Sequence, residues 1–455
     1  MPRVYSRHVL LCALGVSALL LLLYQGHRLR EGPPWISAFE GVDKGSDSRF
    51  QERKPLRKDP LESLESQAAS SYSGSSDTAL NSSAKLPWFF RNGSSRTFSG
   101  TLGAQSLFPS PEGRQEDRIV KQLMYSEKQE AEEEEGKKKL KTILLYHGGW
   151  SGIQLGRRQF LKQQCPVNTC SLTTKKTGPV DAVLFKDHVP RKEDILRPPG
   201  QLWILYLLEC PLHTQSFSEV TGVNWTATYR HDSEIVSPYE KWVYYDSRVK
   251  FKTQNRNYAA GKTKKVAWFV SNCYARNKRL EYAKELAKHI DVDIYGSCGT
   301  LKCPRRDEKK CFEMLSRNYK FYLAFENSNC VDYITEKFFV NGLMNDVLPI
   351  AMGARPEDYE RAAPKNSFLH VDNFTSPAEL AAHLLKLDQD DSLYNRYFQW
   401  KGTGEFIDTK FFCRLCSMLH AKDEVPHKTY GSRLETWWRG PDVCIQGSWR
   451  NLPPR

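Results

Sequence analysis

The sequence predicts an α/β protein whose second half is an open, parallel β-sheet. Two observations carry this: a strand, helix, strand succession within about thirty residues at 266–296, and its repetition at 321–352. In the first unit Val266–Ser271 (VAWFVS) is a short apolar strand. Asn277–Ile290 then places Leu280, Ala283, Leu286, Ala287 and Ile290 on one helical face, and Asp291–Gly296 (DVDIYG) is the returning strand.

The second unit has a strand at Phe321–Asn327, a helix at Thr335–Met344 and a strand at Val347–Met352. A further strand is expected at Phe368–Val371. Ser376-Pro377-Ala378-Glu379 then supplies an N-cap, a proline at the first helical position and a capping-box glutamate, so a helix to about Leu387 follows. The first half offers strands from Thr142 (TILLYHGG), at Val180–Phe185 and at Leu202–Leu208, then mixed pieces at Trp225–Arg230 and Trp242–Tyr245. The basic, Asn-rich stretch Lys250–Lys265 reads as a linker.

Ahead of this body the chain reads differently. Arg3 and Arg7, an apolar run Val9–Tyr24, then Arg28 and Arg30 form a membrane signal; its helix would be about 24 Å long, enough for a thin early-secretory bilayer. Gln25–Glu31 lacks an Ala-x-Ala cleavage pattern, which favours an uncleaved signal anchor over a signal peptide. From Glu31 to Lys138 the chain is polar, with no sustained apolar period, and reads as a disordered stem.

Of 455 residues, 40% are hydrophobic and 12% aromatic, which excludes a chain disordered throughout. The net charge of +13 fits nucleic acid, an anionic membrane or a phosphate-bearing substrate equally well. An anchor and four N-x-S/T sequons, at Asn81, Asn92, Asn224 and Asn373, argue for a lumenal body and against a nucleic-acid partner. Eleven of the twelve cysteines lie beyond the apolar run, with only Cys12 inside it, so an oxidising lumen would pair most and leave an odd one. Cys413-x-x-Cys416 has a zinc-like spacing without a second half, so a short-loop disulfide is expected there. Cys165 with Cys170, and Cys298 with Cys303, invite the same expectation.

Three places put ionisable residues just past strand ends, where an open α/β sheet binds its ligand. Ser271–Asn277 is a polar turn in which backbone N–H groups and the Arg276 guanidinium would receive a phosphate, although an arginine near a helix start is ordinarily just a surface residue. Glu326 and Asn327 end the next strand, and Thr335-Glu336-Lys337 opens the following helix. There Lys337 opposes the helix dipole unless an anion is near; the plain alternative is a capping box with a solvated lysine. Glu209 ends the run Leu202–Leu208, where partial burial would raise its pKa toward that of a general base, or where it is simply a solvated strand end. Neither GxGxxG nor a Walker sequence is present. Asp291-x-Asp293 begins a strand and Asp388-x-Asp390 ends a helix, and neither is read as a metal site.

The stretch Thr142–Trp449 resembles the α1,3-fucosyltransferases, most specifically in YKFYLAFENSNCVDYITEKFF at Tyr319–Phe339, which is similar to their donor-binding motif. NWTATYRHDSEI (Asn224–Ile235), VAWFVSN with Arg276-Asn277, and VDIYGSCG (Val292–Gly299) support it. LYLLECPLHTQ, DSEIVSPYEKW, MGARPEDYERAAP and WKGTGEF look closest to the invertebrate and plant branch acting on the innermost GlcNAc of N-glycans.

The resemblance implies a GT-B architecture of two Rossmann-like domains facing each other across a cleft. Its expected divisions are 1–30 tail and anchor, 31–138 stem, 139–250 acceptor-side domain and 251–455 GDP-fucose-binding domain. It implies inverting transfer from GDP-β-L-fucose to a glycoprotein N-glycan, by a single-pass type II protein of the Golgi membrane. By position, Glu209 would be the base, Arg276 and Lys337 would hold the diphosphate, and Tyr333 and Glu336 would contact nucleotide or fucose. Asn272, Glu326 and Asn327 complete the expected donor set. Arg230, Asp232 and Glu234 fall in a similar segment, with lining and packing roles both open. No metal ligand and no required cofactor are implied, and stimulation by Mn²⁺ stays open. The alternatives are a Lewis-type antennal or protein-linked fucosyltransferase, or a non-catalytic lumenal glycan-binding protein.

Overall fold

The computed structural model describes residues 85–96, 102–110, 117–126, 140–190, 197–424 and 429–453. The expected anchor, most of the stem and the Asn81 sequon lie outside the described residues. No helix among the described residues is long and apolar enough to cross a membrane.

Two parallel five-stranded sheets organise the body. The first contains β1 (Lys141–Leu145), β2 (Cys170–Thr173), β3 (Ala182–Lys186), β4 (Leu202–Leu207) and β5 (Trp225–Thr228), in the order β2-β1-β3-β4-β5. Ile143 faces Ala182, Ala182 faces Leu202 and Ile204 faces Trp225. The sheet is buried on both sides: Ile143, Leu145, Leu184 and Ile204 enter one apolar cluster, and Leu144, Val183, Leu205 and Leu207 the other. That two-sided burial is why these strands read as near-continuous apolar runs. The strand β2, only four residues long, had no such run.

The Trp242–Tyr245 piece is β6 (Lys241–Tyr244), and it stands outside the first sheet. The second sheet follows with β7 (Lys264–Phe269), β8 (Val292–Tyr295), β9 (Tyr319–Phe325), the two-residue β10 (Asn329–Cys330), β11 (Leu348–Met352) and β12 (Leu369–His370). Its order is β12-β11-β9-β7-β8, all parallel, with β10 outside it. The expected unit at 266–296 is present, with the helix Arg279–Leu286 crossing between adjacent β7 and β8. Central β9 is buried at every position.

The helix expected at Thr335–Met344 is instead one α turn, Glu336–Phe338, widened into a π turn over Phe339–Leu343. Gly342 there packs so closely on β11 that an added Cβ would lie 2.8 Å from the Pro349 ring.

Three expectations about organisation are corrected. First, part of the supposed stem is folded. Trp88, Leu107, Ile119 and Leu123 belong to the same buried cluster as Ile143 and Leu184. Trp88 Nε1 donates to the Leu123 carbonyl at 3.1 Å, and Arg118, on the helix Arg118–Met124, donates to the carbonyls of Ser233 at 2.7 Å and Glu234 at 3.2 Å. Apolar residues arrive there in short bursts between polar ones, so no periodicity announced them.

Second, the C-terminal segment does not stay with the second half. After β13 (Gly404–Ile407), which pairs antiparallel with β6, the helix Phe411–Ala421 returns to the first sheet, where Phe412, Leu415, Met418 and Leu419 are buried in that sheet's cluster. The helix Arg433–Arg439 buries Leu434 and Trp438 against the other face, and β14 (Cys444–Ile445) then pairs with β10.

Third, the short-loop disulfides are replaced by longer ones: Cys165–Cys413, Cys170–Cys416, Cys273–Cys298, Cys303–Cys311 and Cys330–Cys444. Cys413 and Cys416 point back to the first sheet, so neither reaches the other. Cys210 remains free and buried.

The Asn224 sequon is corrected as well. Its side chain is buried, its Oδ1 accepts from the Trp203 N–H at 2.9 Å and its Nδ2 donates to Thr429 Oγ1 at 3.2 Å, which leaves no room for a glycan. Asn92 and Asn373 are exposed.

Since Leu123 is fully buried, Leu123→Ala is expected to cost about 2–5 kcal/mol. Urea denaturation would read this as a lowered midpoint at unchanged slope. An unshifted midpoint would return the segment to the status of a tether.

Candidate active site

Glu209 follows β4 at the carboxyl end of the first sheet, and its partners come from both halves of the body. Its Oε1 accepts from the Cys210 N–H at 2.8 Å, from the Tyr333 hydroxyl at 2.8 Å and from Asn327 Nδ2 at 3.5 Å, and His213 Nδ1 lies 3.7 Å away. Half-burial pushes the carboxyl's pKa up, but these hydrogen bonds and the His213 charge outweigh it and hold the group below its ordinary value. The expected upward shift is therefore corrected: the hydrogen bonds stabilise the ionised form, ready to accept a proton.

Tyr333 reaches Glu209 because the chain turns sharply before it. Asp332 adopts a left-handed backbone, φ 59°. Its carboxylate accepts from the His231 N–H at 3.0 Å, the His231 Nδ1 at 2.5 Å and Arg361 at 2.6 Å, and its own N–H donates to Asp358 at 2.9 Å. Burial opposes ionisation of Asp332, yet the His231 hydrogen bond and charge, with Arg361, hold its pKa below the carboxylate range. Burial together with the Asp332 charge pushes Asp358 up. The Tyr333 ring packs 5.2 Å from that of Tyr229, inside the apolar cluster of the first sheet.

A second cluster closes β9. The fully buried Glu326 accepts from the Thr335 N–H at 2.8 Å and Thr335 Oγ1 at 2.9 Å, and Lys337 Nζ lies 3.2 Å away. Lys337 also donates to Thr335 Oγ1 at 2.9 Å and to Glu336 at 3.0 Å. Burial raises the pKa of Glu326 against the opposing Lys337 charge; for Lys337 burial acts downward, but the two carboxylates prevail and raise it. The mismatch between Lys337 and the helix dipole is thus already answered by two carboxylates. Glu326 braces Lys337 and the helix start from inside, while Glu336 is half exposed.

The turn after β7 behaves differently from its expected form. The helix begins at Arg279, three residues beyond Arg276, and the buried Arg279 donates to the carbonyls of Phe325 at 2.6 Å and Asn272 at 3.1 Å. Asn272 is exposed, and its side chain caps the Tyr274 N–H at 3.2 Å. Arg276 is exposed, without a protein partner among the described residues. It stands at the wall of a cavity of about 620 Å³ outside the carboxyl ends of β7, β9, β11 and β12. Asn277, Tyr282, Asn329, Gly353, His370 and Asp372 also line it. Two of its lining residues, Asn277 through Oδ1 and Tyr282 through its hydroxyl, carry buried polar atoms with no hydrogen-bond partner.

Of the expected set, then, Glu209, Tyr333 and Asn327 form one cluster, Glu326, Glu336 and Lys337 a second, and Arg276 joins the cavity. Asn272 stays outside its lining, in an exposed turn. Arg230 is bound to Asp232 at 2.9 Å and lies over the Trp437 ring, and the buried Glu234 accepts from the Thr226 N–H, so these two have packing roles. Asp293 is held by Lys264 and Tyr319, and Asp390 caps the helix Asp391–Arg396. Sequence reasoning missed His213 and the cavity residues after β12; the only available signal was a histidine four residues after Glu209.

Residues 138–240 match the model "Fucosyltransferase, N-terminal", and residues 259–437 match "Glycosyltransferase family 10 (fucosyltransferase) C-term". The glycoprotein 3-alpha-L-fucosyltransferase A of Drosophila melanogaster is 53% identical over 386 residues, which is 82% of this chain and 76% of the relative. The alpha-(1,3)-fucosyltransferase fut-1 of Caenorhabditis elegans is 33% identical over 320 residues, 67% of this chain and 70% of its own. A crystal structure of an alpha1,3-fucosyltransferase aligns over 63% of this chain and 92% of its own, at 16% identity and a TM-score of 0.43. By both family models and the two sequence relatives, the chain belongs to the glycosyltransferase family 10 fucosyltransferases.

Proposed function

We propose that this enzyme transfers L-fucose from GDP-β-L-fucose to the 3-hydroxyl of a GlcNAc in glycoprotein N-glycans, the innermost core residue, with inversion. The observation that carries the reading is the Glu209 carboxylate at a sheet end, held by Tyr333 and Asn327 from the opposite half. The identity of the Drosophila relative as a glycoprotein 3-alpha-L-fucosyltransferase supports a glycoprotein acceptor. The choice of the core residue rests on the resemblance of residues 205–215, 232–242, 352–364 and 400–406.

In this mechanism the acceptor 3-hydroxyl attacks the fucose C1 as its bond to the diphosphate breaks, and the hydroxyl proton passes to Glu209. One displacement converts the β donor to an α product. The nucleoside enters the cavity beside Asn277 and Tyr282, whose unpartnered polar atoms supply hydrogen bonds. Asn329 lines that cavity and Asn327 touches Glu209; two residues of extended chain span at most about 7 Å, a fitting reach for the diphosphate.

Arg276 meets the developing charge directly. Lys337 meets it by exchanging its contact with the half-exposed Glu336 for a phosphate oxygen, and Glu336 then turns to the fucose hydroxyls. These fixed cations take the part a metal plays elsewhere, so transfer is proposed to need no cofactor. The five disulfides support a lumenal, oxidising compartment, in keeping with a Golgi type II protein.

Incubation of the full chain with GDP-fucose and a defined N-glycopeptide, without added metal, tests the reading by mass spectrometry and linkage-specific digestion. Fucose α1,3-linked to the innermost GlcNAc is expected; fucose on an antenna or on peptide would replace the acceptor. Failure to transfer to any acceptor would favour a glycan-binding role. Glu209→Gln should lose turnover by about 100-fold or more, and near-normal turnover would remove Glu209 as the base. Tyr333→Phe deletes a hydrogen bond that keeps Glu209 ionised, so the acid limb of kcat/KM should move to higher pH. An unmoved limb would detach Tyr333 from the base.

A further inference from the structure

The residues just after β4 carry more chemistry than proton transfer uses. Cys210 is the free cysteine of the described residues, and its Sγ lies 3.3 Å from His213 Nδ1. Glu209 Oε1 lies 3.7 Å from the same nitrogen, and the three atoms all fall within 4.8 Å of one another.

In a tetrahedral zinc site, Zn–S of about 2.3 Å and Zn–N or Zn–O of about 2.0–2.2 Å put neighbouring ligand atoms about 3.4–3.5 Å apart. The two edges at His213 bracket that spacing, and the third, between Sγ and Oε1, is no longer than 4.8 Å, so an ion would draw these two atoms together. The Cys-x-x-His spacing lets the tight turn Pro211–His213 fold the imidazole back toward the thiol.

An independent feature points the same way. Asn327 Oδ1 is buried without a hydrogen-bond partner, while its Nδ2 faces Glu209 Oε1 at 3.5 Å and His213 Nδ1 at 3.4 Å. Half a turn of the amide would aim the orphaned oxygen at the centre of the cluster, as a fourth donor. A thiolate, an imidazole and a carboxylate select zinc over magnesium or manganese, which prefer oxygen. The thiol is buried, the carboxylate half-buried and the imidazole exposed, so the ion enters from the side of His213.

We propose that Glu209, Cys210 and His213 form a zinc-binding site whose occupancy blocks transfer. As the Sγ–Zn bond forms, the thiol proton leaves to solvent. To bind Oε1 the ion displaces one of the hydrogen bonds that oxygen accepts, from the Cys210 N–H or the Tyr333 hydroxyl, and it draws charge from the carboxylate that would otherwise take the acceptor proton. This inhibitory consequence rests on Glu209 being the base, whereas binding of the metal does not.

The test titrates cobalt(II) into the full chain with its disulfides intact, in wild type, Cys210→Ser and His213→Asn. A near-ultraviolet thiolate-to-cobalt absorption band should saturate at one ion per chain and be missing from Cys210→Ser. Zinc should inhibit wild-type transfer, with relief by excess acceptor, and His213→Asn should need at least about tenfold more zinc for the same inhibition.

A band that persists in Cys210→Ser overturns the site. So does the absence of any band in wild type with the circular dichroism of the folded protein. Zinc inhibition that is equally strong in both variants overturns the blocking role. Normal turnover of Glu209→Gln would remove the base reading while the cobalt band stands. Loss of turnover in that variant, with no band in wild type, would remove the metal site alone.

Discussion

The buried carboxylate of Asp332 joins the two halves of the molecule where the site is assembled. One oxygen accepts from Arg361 in the second half, and the other takes two hydrogen bonds from His231 in the first. Because burying a charge is costly unless it is fully partnered, loss of Arg361 or of the His231 imidazole would leave the carboxylate under-compensated, a penalty of up to about 3–5 kcal/mol. The same residue holds the left-handed turn that delivers Tyr333 to Glu209. Misplacement at Asp332 would therefore be felt at the base one hydrogen bond away.

Glu326 repeats this arrangement at the end of β9. It lies under Gly353, where any added Cβ would fall 2.6 Å from its Cγ, and it fixes both Thr335 and Lys337. Neither buried acid is an economical way to stabilise a fold, since apolar substitutes often do as well. What they provide is geometry: charges and donors locked in place before a ligand arrives, so that little reorganisation is left for the reaction.

Much of this was legible from local pattern. Buried parallel strands gave apolar runs, β9 ended at Glu326 and β4 at Glu209, and residues 319–339 carried the family motif. What escaped depended on partners far away in sequence. The strand β2 has four residues and is placed by pairing with β1; Trp88 and Leu123 look like isolated apolar residues until the helix Phe411–Ala421 covers them. The pKa of Glu209 was misjudged because burial can be read from a strand's composition, whereas Tyr333 and Asn327 arrive from more than a hundred residues downstream. Cysteine spacing misled for the same reason: proximity along the chain favoured Cys413 with Cys416, and their real partners lie across the first sheet.

Those two long disulfides bear on how the protein is made. Cys165 and Cys170 wait for partners 248 and 246 residues later, and the helix that brings those partners also completes the first sheet's core. At about 5–20 residues per second, synthesis keeps them waiting for roughly 12–50 s. The N-terminal half is thus translated first and finished last, with thiols and apolar surface exposed in the meantime. Its maturation belongs to the period after Cys413 and Cys416 have been synthesised.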